Sequence, residues 1–334
     1  MSEIKEYGRG TVHGENRESS LRKALRSREM SLAIVILVVI AGLSFLKPEA
    51  FVSLKNFEAI SNGMIYDLLL AAGLTIVLIL WGIDLSVGSV MALTGVITAL
   101  LLRGGVPIPI AVLLGLGASM VCGTINGYLV ARFKIAPFIV TLAMMAMARG
   151  FATVLTSGYY LSGLPEGFLV LGRGKIAGVS ISVLVVGLIL LVLEILFRRW
   201  KPLHQMYFVG TNPEAARLSG LRTRLVTMTG YMMSSTLAGL AAVFMTSRLA
   251  MGFAGFGLQA ELRAIAAAVL GGASFAGGSG TILGAALGVT LLALINNGFV
   301  LLNGSPDWQQ AVSGMILLVA VGVDAYRRRK ERRD

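Results

Sequence analysis

The sequence predicts an all-α, polytopic membrane protein, and three observations carry that prediction. Of its 334 residues 56% are hydrophobic and only 14% charged, with a mean hydropathy of +0.80, a balance that suits lipid rather than water. Nearly uncharged segments recur at about the 20 residues that a helix needs to cross a hydrocarbon core. Their hydrophobicity is continuous rather than alternating, which selects helices over a closed barrel, the other form that satisfies its own backbone in lipid.

About ten spans follow in order. The first, 30–46 (MSLAIVILVVIAGLSFL), carries no charge, and the second, 58–80, runs to the polar break GIDLSVGS at 82–89. The third, 85–102, ends before Arg103, and the fourth, 106–130, ends before Arg132 and Lys134. The fifth, 136–157, opens on Pro137, a residue suited to a first helical turn because its missing N–H would have had no partner there. The sixth, 176–197, gives way to Arg198 and Arg199. After a polar loop at 198–224 come 225–247, 261–275 and 279–302, and 306–325 completes the set. Around the membrane domain at 30–326 lie a basic tail at 1–29 and another at 327–334.

The formal charge of +12 is explained by topology. With the N-terminus inside, Lys and Arg favour the inner segments by about three to one, with Lys47, Lys55, Arg103, Arg173, Lys175, Arg248 and Arg263 outside. Both termini are therefore expected on the cytoplasmic side. The tail YRRRKERR reads as an anchor to anionic lipid headgroups, with no nucleic-acid role expected. A cleaved signal peptide is not expected, because the basic stretch before residue 31 is too long and no A-x-A site follows Leu46.

Composition also closes off several chemistries. Cys122 is the single cysteine, and His13 and His204 are the only histidines, so neither a metal site nor a nucleophilic triad is expected. No G-x-x-x-x-G-K-[ST] run occurs, so any ATP and Mg would be bound by a separate chain and no cofactor by this one.

Glycine is abundant, with 41 residues, many inside apolar runs such as GLGASMVCGTING (115–127) and GGASFAGGSGTILGAALG (271–288). Small residues let helix backbones approach closely, so these are packing faces or, where protein or water covers the backbone, helix breaks. An internal echo adds to this. TINGYLVARFKIAPFIVTLAMM (124–145) and INNGFVLLNGSPDWQQAVSGMI (295–316) share an Asn-Gly at a span end and a Pro opening the next span. The echo places Asn126 and Asn297 at opposite faces, as an inverted repeat would, with a pathway between its halves.

Polar groups inside spans are candidates for that pathway. Asp84, followed by Ser86, either caps the third span or lines the pathway. Arg149 either contacts solute or pairs with Asp67 or Glu261. Asn126, Asn296 and Asn297 either hydrogen-bond a polar solute or tie helices together.

The loop at 198–224 holds TNPEAARLSGL (211–221). Thr211 or Asn212 can cap a helix, Pro213 fits its first turn, Glu214 favours its positive end and Gly220 can stop it. At about seven residues such a helix is too short to span and too polar for lipid, so it is either a docking element for a cytoplasmic partner, held by packing, or an ordered surface loop.

VGTNPEAARLSGL (209–221) closely resembles the coupling-helix loop of permeases in the ribose-type branch of bacterial ABC importers. The resemblance continues through GIDLSVGS (82–89), GTINGYLVARFKIAPFIVTL (123–142), Ala-Arg-Gly at 148–150 and ELRAIAAAVLGGASFAGGSGTILGAALG (261–288), covering nearly the whole chain after residue 30. It implies an inner-membrane permease that pairs with a second copy or homologue, receives a sugar from an external binding protein, and docks a cytoplasmic ABC ATPase. Carried over by position, Asn212, Glu214, Ala215, Ala216 and Gly220 would form the coupling element. The run TLAMM (141–145) has Ala-Met where the family commonly has Gly-Thr, and the basic N-terminal extension is long. Two other classes remain to be separated from this one: an ion-coupled secondary transporter using Asp67 and Asp84, which needs no second chain, and a membrane scaffold with no solute flux.

Overall fold

Helix α1 (Arg28–Leu46) and the single turn α2 (Pro48–Phe51) lead into α3 (Leu54–Ile79), which Ser53 starts by accepting the Asn56 N–H. The break that follows begins with Trp81 in the left-handed region at φ 61, a conformation that ends a helix. Helix α4 (Val87–Arg103) then starts, and α5 (Ile108–Phe133) and α6 (Pro137–Thr156) follow, both opened by prolines. Beyond them lie α7 (Glu166–Arg173), a two-strand hairpin of β1 (Lys175–Ile176) and β2 (Val179–Ser180), and α8 (Ile181–Arg199). Two helices outside the apolar runs come next, α9 (Lys201–Thr211) and α10 (Pro213–Leu218). The chain then continues through α11 (Thr223–Leu249), α12 (Ala260–Leu270) and α13 (Ile282–Leu301). This computed structural model describes residues 28–304 together with Gly314, Met315, Leu318 and Gly322. The expected span at 306–325 and most of both basic tails lie outside the described residues.

Among the described residues seven helices are long and apolar enough to cross a membrane, namely α1, α3, α5, α6, α8, α11 and α13, with α4 a shorter apolar helix of 17 residues. The expected span at 261–275 is corrected: α12 has 11 residues, about 16 Å of rise, roughly half a bilayer. Leu270 to Phe275 is apolar enough to read as continuous helix, yet Gly272 at φ 101 turns the chain there.

Burial separates centre from rim. Most of α3 and α11 is buried, 67% and 61% of their most apolar stretches, against 17% for α1 and α8. The rim helices present apolar side chains outward, as a lipid-facing surface does. At the centre α3 and α11 run antiparallel: Gly73 faces Ser234, while Leu80 faces Gly230 further along. A Cβ on Gly123 or Gly127 of α5 would collide with the α11 backbone at Tyr231 and Met228, so glycine there permits the close approach.

The pattern of helix, break, short helix and long helix occurs twice, as α3–α4–α5 and as α11–α12–α13. Each central helix packs on the other unit's short and long helices: α11 on α4 and α5, α3 on α12 and α13. Antiparallel central helices and this reciprocal packing fit the inverted repeat that the sequence echo suggests.

Candidate functional site

Helix α10 forms where the sequence places it. Asn212, at φ −153, is at once the residue that closes α9 and the one that opens α10: its N–H donates to Phe208 O at 3.1 Å, and its Oδ1 accepts the N–H groups of Glu214 and Ala215 at 3.1 and 3.0 Å. Pro213 occupies the first turn, and Gly220 at φ 83 ends the element, with Leu221 N–H returning to Ala216 O at 3.1 Å. Glu214 and Arg217 form an exposed ion pair at 2.5 Å, and the guanidinium holds the Glu214 carboxyl below its ordinary range. Removing the cap as Asn212→Ala is expected to destabilise this turn by about 1 kcal/mol, read as faster amide exchange at Glu214 and Ala215 with α11 unaffected.

Of the expected coupling residues, Asn212, Glu214, Ala215 and Gly220 are exposed, whereas Ala216 is buried against the loop's own interior. Ala216 packs inward and still borders the groove between α9 and α10. Beside the exposed face, between α9 and α10, runs a groove of about 750 Å3, bounded by Lys201, His204, Phe208, Ala215 and Leu221 among others.

Helix α9 is the element sequence reasoning missed. Its signal was present: Leu203, Met206 and Val209 recur at helical spacing, Pro202 sits in the first turn, and all three apolar residues are buried. Tyr207 on the same helix donates to Gly280 O at 2.8 Å, and burial followed by the nearby Glu194 pushes its hydroxyl up to about 12, so it remains a donor.

The break between α3 and α4 is held by a buried knot. Asp84 Oδ1 accepts the Ser86 N–H at 3.0 Å and the Ser86 hydroxyl at 2.5 Å, while Oδ2 accepts from Ser234 at 3.2 Å. Asn126 Nδ2 donates to Ser86 Oγ at 3.0 Å, so one hydroxyl links α5 to the carboxylate. All four residues are fully buried. Asp84 therefore ties the break to α5 and α11, and the first-turn amides of α4 receive no side-chain cap from it. Asn126 likewise acts between helices.

The remaining candidates divide. Asn297 exchanges amide hydrogen bonds with Asn56, at 2.6 and 3.2 Å, and so joins α13 to α3. Asp67 pairs with Arg263 at 3.5 Å, and Asn296 lines a cavity of about 30 Å3 beside them. Arg263 belongs to α12 rather than to an outer loop, which sequence position alone concealed. Arg149 pairs with neither carboxylate directly. Its Nη1 donates to the carbonyls of Ala254 and Phe256, the latter at 2.7 Å, while its charge interacts with that of Glu261. Glu261 is half-buried, and its carboxylate lies over Gly88, so the first turns of α4 and α12 meet with Gly257 against Gly88. Arg149 and Glu261 thus stand at the contact between the two broken units, each partly exposed. Asp67 and Asp84 both have partners within the fold.

A family model described as branched-chain amino acid transport system / permease component matches residues 56–321. The chain is 38% identical over 293 residues to the ribose import permease protein RbsC of Bacillus subtilis (strain 168), covering 87% of this chain and 89% of that protein. It is 35% identical over 300 residues to the ribose import permease protein RbsC of Escherichia coli (strain K12), covering 89% and 93%. It is 33% identical over 303 residues to the L-arabinose ABC transporter permease protein AraH of Azospirillum brasilense, covering 90% and 88%. No solved structure matches the chain.

Proposed function

The chain belongs to the family of branched-chain amino acid transport system permease components and is the non-catalytic, multi-pass inner-membrane subunit of an ABC importer, and from that premise we propose that it carries a sugar, pentose-sized or similar, across the membrane. An external binding protein delivers the sugar, and two copies of the chain, or this chain and a homologue, enclose the path. The observation that carries the coupling role is the Asn212-capped helix α10, presented with Glu214 and Ala215 exposed on the rigid base of α9. The ATPase binds the ATP and Mg, and its closure displaces α10.

Within the membrane, the path passes the meeting point of α4 and α12. Helix starts there direct backbone N–H groups inward, while Arg149 supplies donors and Glu261 an acceptor for hydroxyl groups. Relatives named for ribose and arabinose support a polyhydroxylated cargo. The test is sugar uptake by proteoliposomes holding the assembled transporter and its binding protein. Uptake should require ATP inside and persist when ion gradients are collapsed. Glu261→Gln should lower transport at limiting sugar by about tenfold, the size of a lost charged hydrogen bond. Unchanged kinetics for Glu261→Gln and Arg149→Ala would remove both residues from the path.

A further inference from the structure

The structure brings three backbones together one residue away from the capped coupling element. The end of α3, the end of α9 and the glycine-rich segment 271–281 meet there. Gly278 N–H donates to Ile79 O at 2.8 Å, and Tyr207 Oη donates to Gly280 O at 2.8 Å. A Cβ on Gly210 would collide with the Ile79 carbonyl, and one on Gly277 would press on the Gly210 carbonyl and on Trp81. Gly278 packs against Thr211 with equally little space. Gly277 and Gly278 also hold φ of 80 and 69, which L side chains rarely adopt. No methyl group separates the three segments, so none can shift appreciably without carrying the other two.

Each segment leads somewhere that matters. From Ile79 the chain enters the break tied by Asp84 and Ser86, and then α4. From Gly271 it runs back into α12, an 11-residue rod whose far end carries Glu261 and meets Gly88. On the third side, Asn212 joins α9 to α10 through hydrogen bonds in both directions, so these two helices move together.

We infer that the junction of Gly210, Ile79, Gly277 and Gly278, fastened by Tyr207, is the mechanical link through which α10 moves the broken helices of both repeats. Tyr207 and Gly210 are positioning residues: they touch no solute, and they set the stroke delivered to α12. A push on α10 is carried by α9 to the junction, tilts α12 as a lever, and shifts Glu261 against the start of α4. This inference rests on the importer reading. It adds that transmission runs through α9 and the 271–281 segment, beside the contacts that α9 and α10 make with α11.

The test uses the complete transporter in proteoliposomes, with sugar uptake and ATP hydrolysis measured together and co-purification of the ATPase measured separately. Gly210→Ala is expected to retain the ATPase and to hydrolyse ATP while moving at least about tenfold less sugar per ATP. Tyr207→Phe, which deletes one hydroxyl and leaves the ring in place, should fold normally and lower the ratio by about fivefold. A ratio unchanged in Tyr207→Phe, or ATPase lost from that variant, overturns the inference, the second result making α9 part of the docking surface alone. If the unmodified chain shows no ATP-driven uptake and recruits no ATPase, the importer reading fails instead.

Discussion

Ala215→Arg is expected to abolish ATP-driven uptake while leaving the protein in the membrane at its normal level. The side chain of Ala215 is exposed and borders the groove beside α9, while its N–H is held by Asn212. Arginine is a good helix former, so the substitution leaves α10 its backbone and its cap. What changes is the surface proposed to meet the ATPase, where a long charged side chain replaces a methyl group. Burying that charge without a partner costs several kcal/mol, and every 1.4 kcal/mol is about tenfold in association. The neighbouring position supplies the contrast. Ala216 is 5% exposed, so Ala216→Arg forces a charge into the loop's interior and should disorder the element itself. Membrane abundance by immunoblot, measured alongside uptake, separates the two behaviours. Normal uptake by Ala215→Arg would show that this face meets no partner.

The largest effect on stability is expected from Asp84→Ala. Three donors lose their acceptor at once, the Ser86 N–H, the Ser86 hydroxyl and the Ser234 hydroxyl, all in fully buried residues. Each unsatisfied buried group costs about 1–3 kcal/mol, and together they approach the whole stability of an ordinary domain. Asn126 then loses the order of its own partner, since Ser86 no longer has a fixed orientation. Asp84→Asn should be far milder, because Oδ1 can still accept both Ser86 donors and the Ser234 hydroxyl can accept from the new amide. Thermal unfolding in detergent, followed by tryptophan fluorescence, should therefore rank wild type, then Asp84→Asn, then Asp84→Ala well below both. Equal midpoints for wild type and Asp84→Ala would contradict the knot.

Much of this arrangement is legible in the amino-acid sequence, and the illegible part has a common cause. Long uncharged runs locate the seven full-length helices to within a few residues, since lipid imposes one backbone solution on them. Helix α10 reads well because its signals are local: Asn212, Pro213 and Gly220 each act on their own backbone. Helix α12 reads too long because apolarity continues past Leu270, while the chain turns at Gly272 just after Gly271 packs against Gly284, a contact made across the fold. Partner choice is equally non-local. Nothing near Arg149 in the chain indicates that its donors go to Ala254 and Phe256, or that Asp67 meets Arg263 across 196 positions. Asn126 and Asn297 show the same limit: both are recognisable as polar groups in apolar spans, and only the fold reveals that each binds another helix.

The central claim is that a separate ATPase docks on α10, and affinity purification of the chain from its own membrane in mild detergent tests it most directly. Mass spectrometry of the eluate should identify an ATPase bearing a phosphate-binding loop, with ATP hydrolysis in the same fraction, and Ala215→Arg should lose both. Recovery of the chain without an ATPase, transporting sugar on an ion gradient alone, would contradict the account.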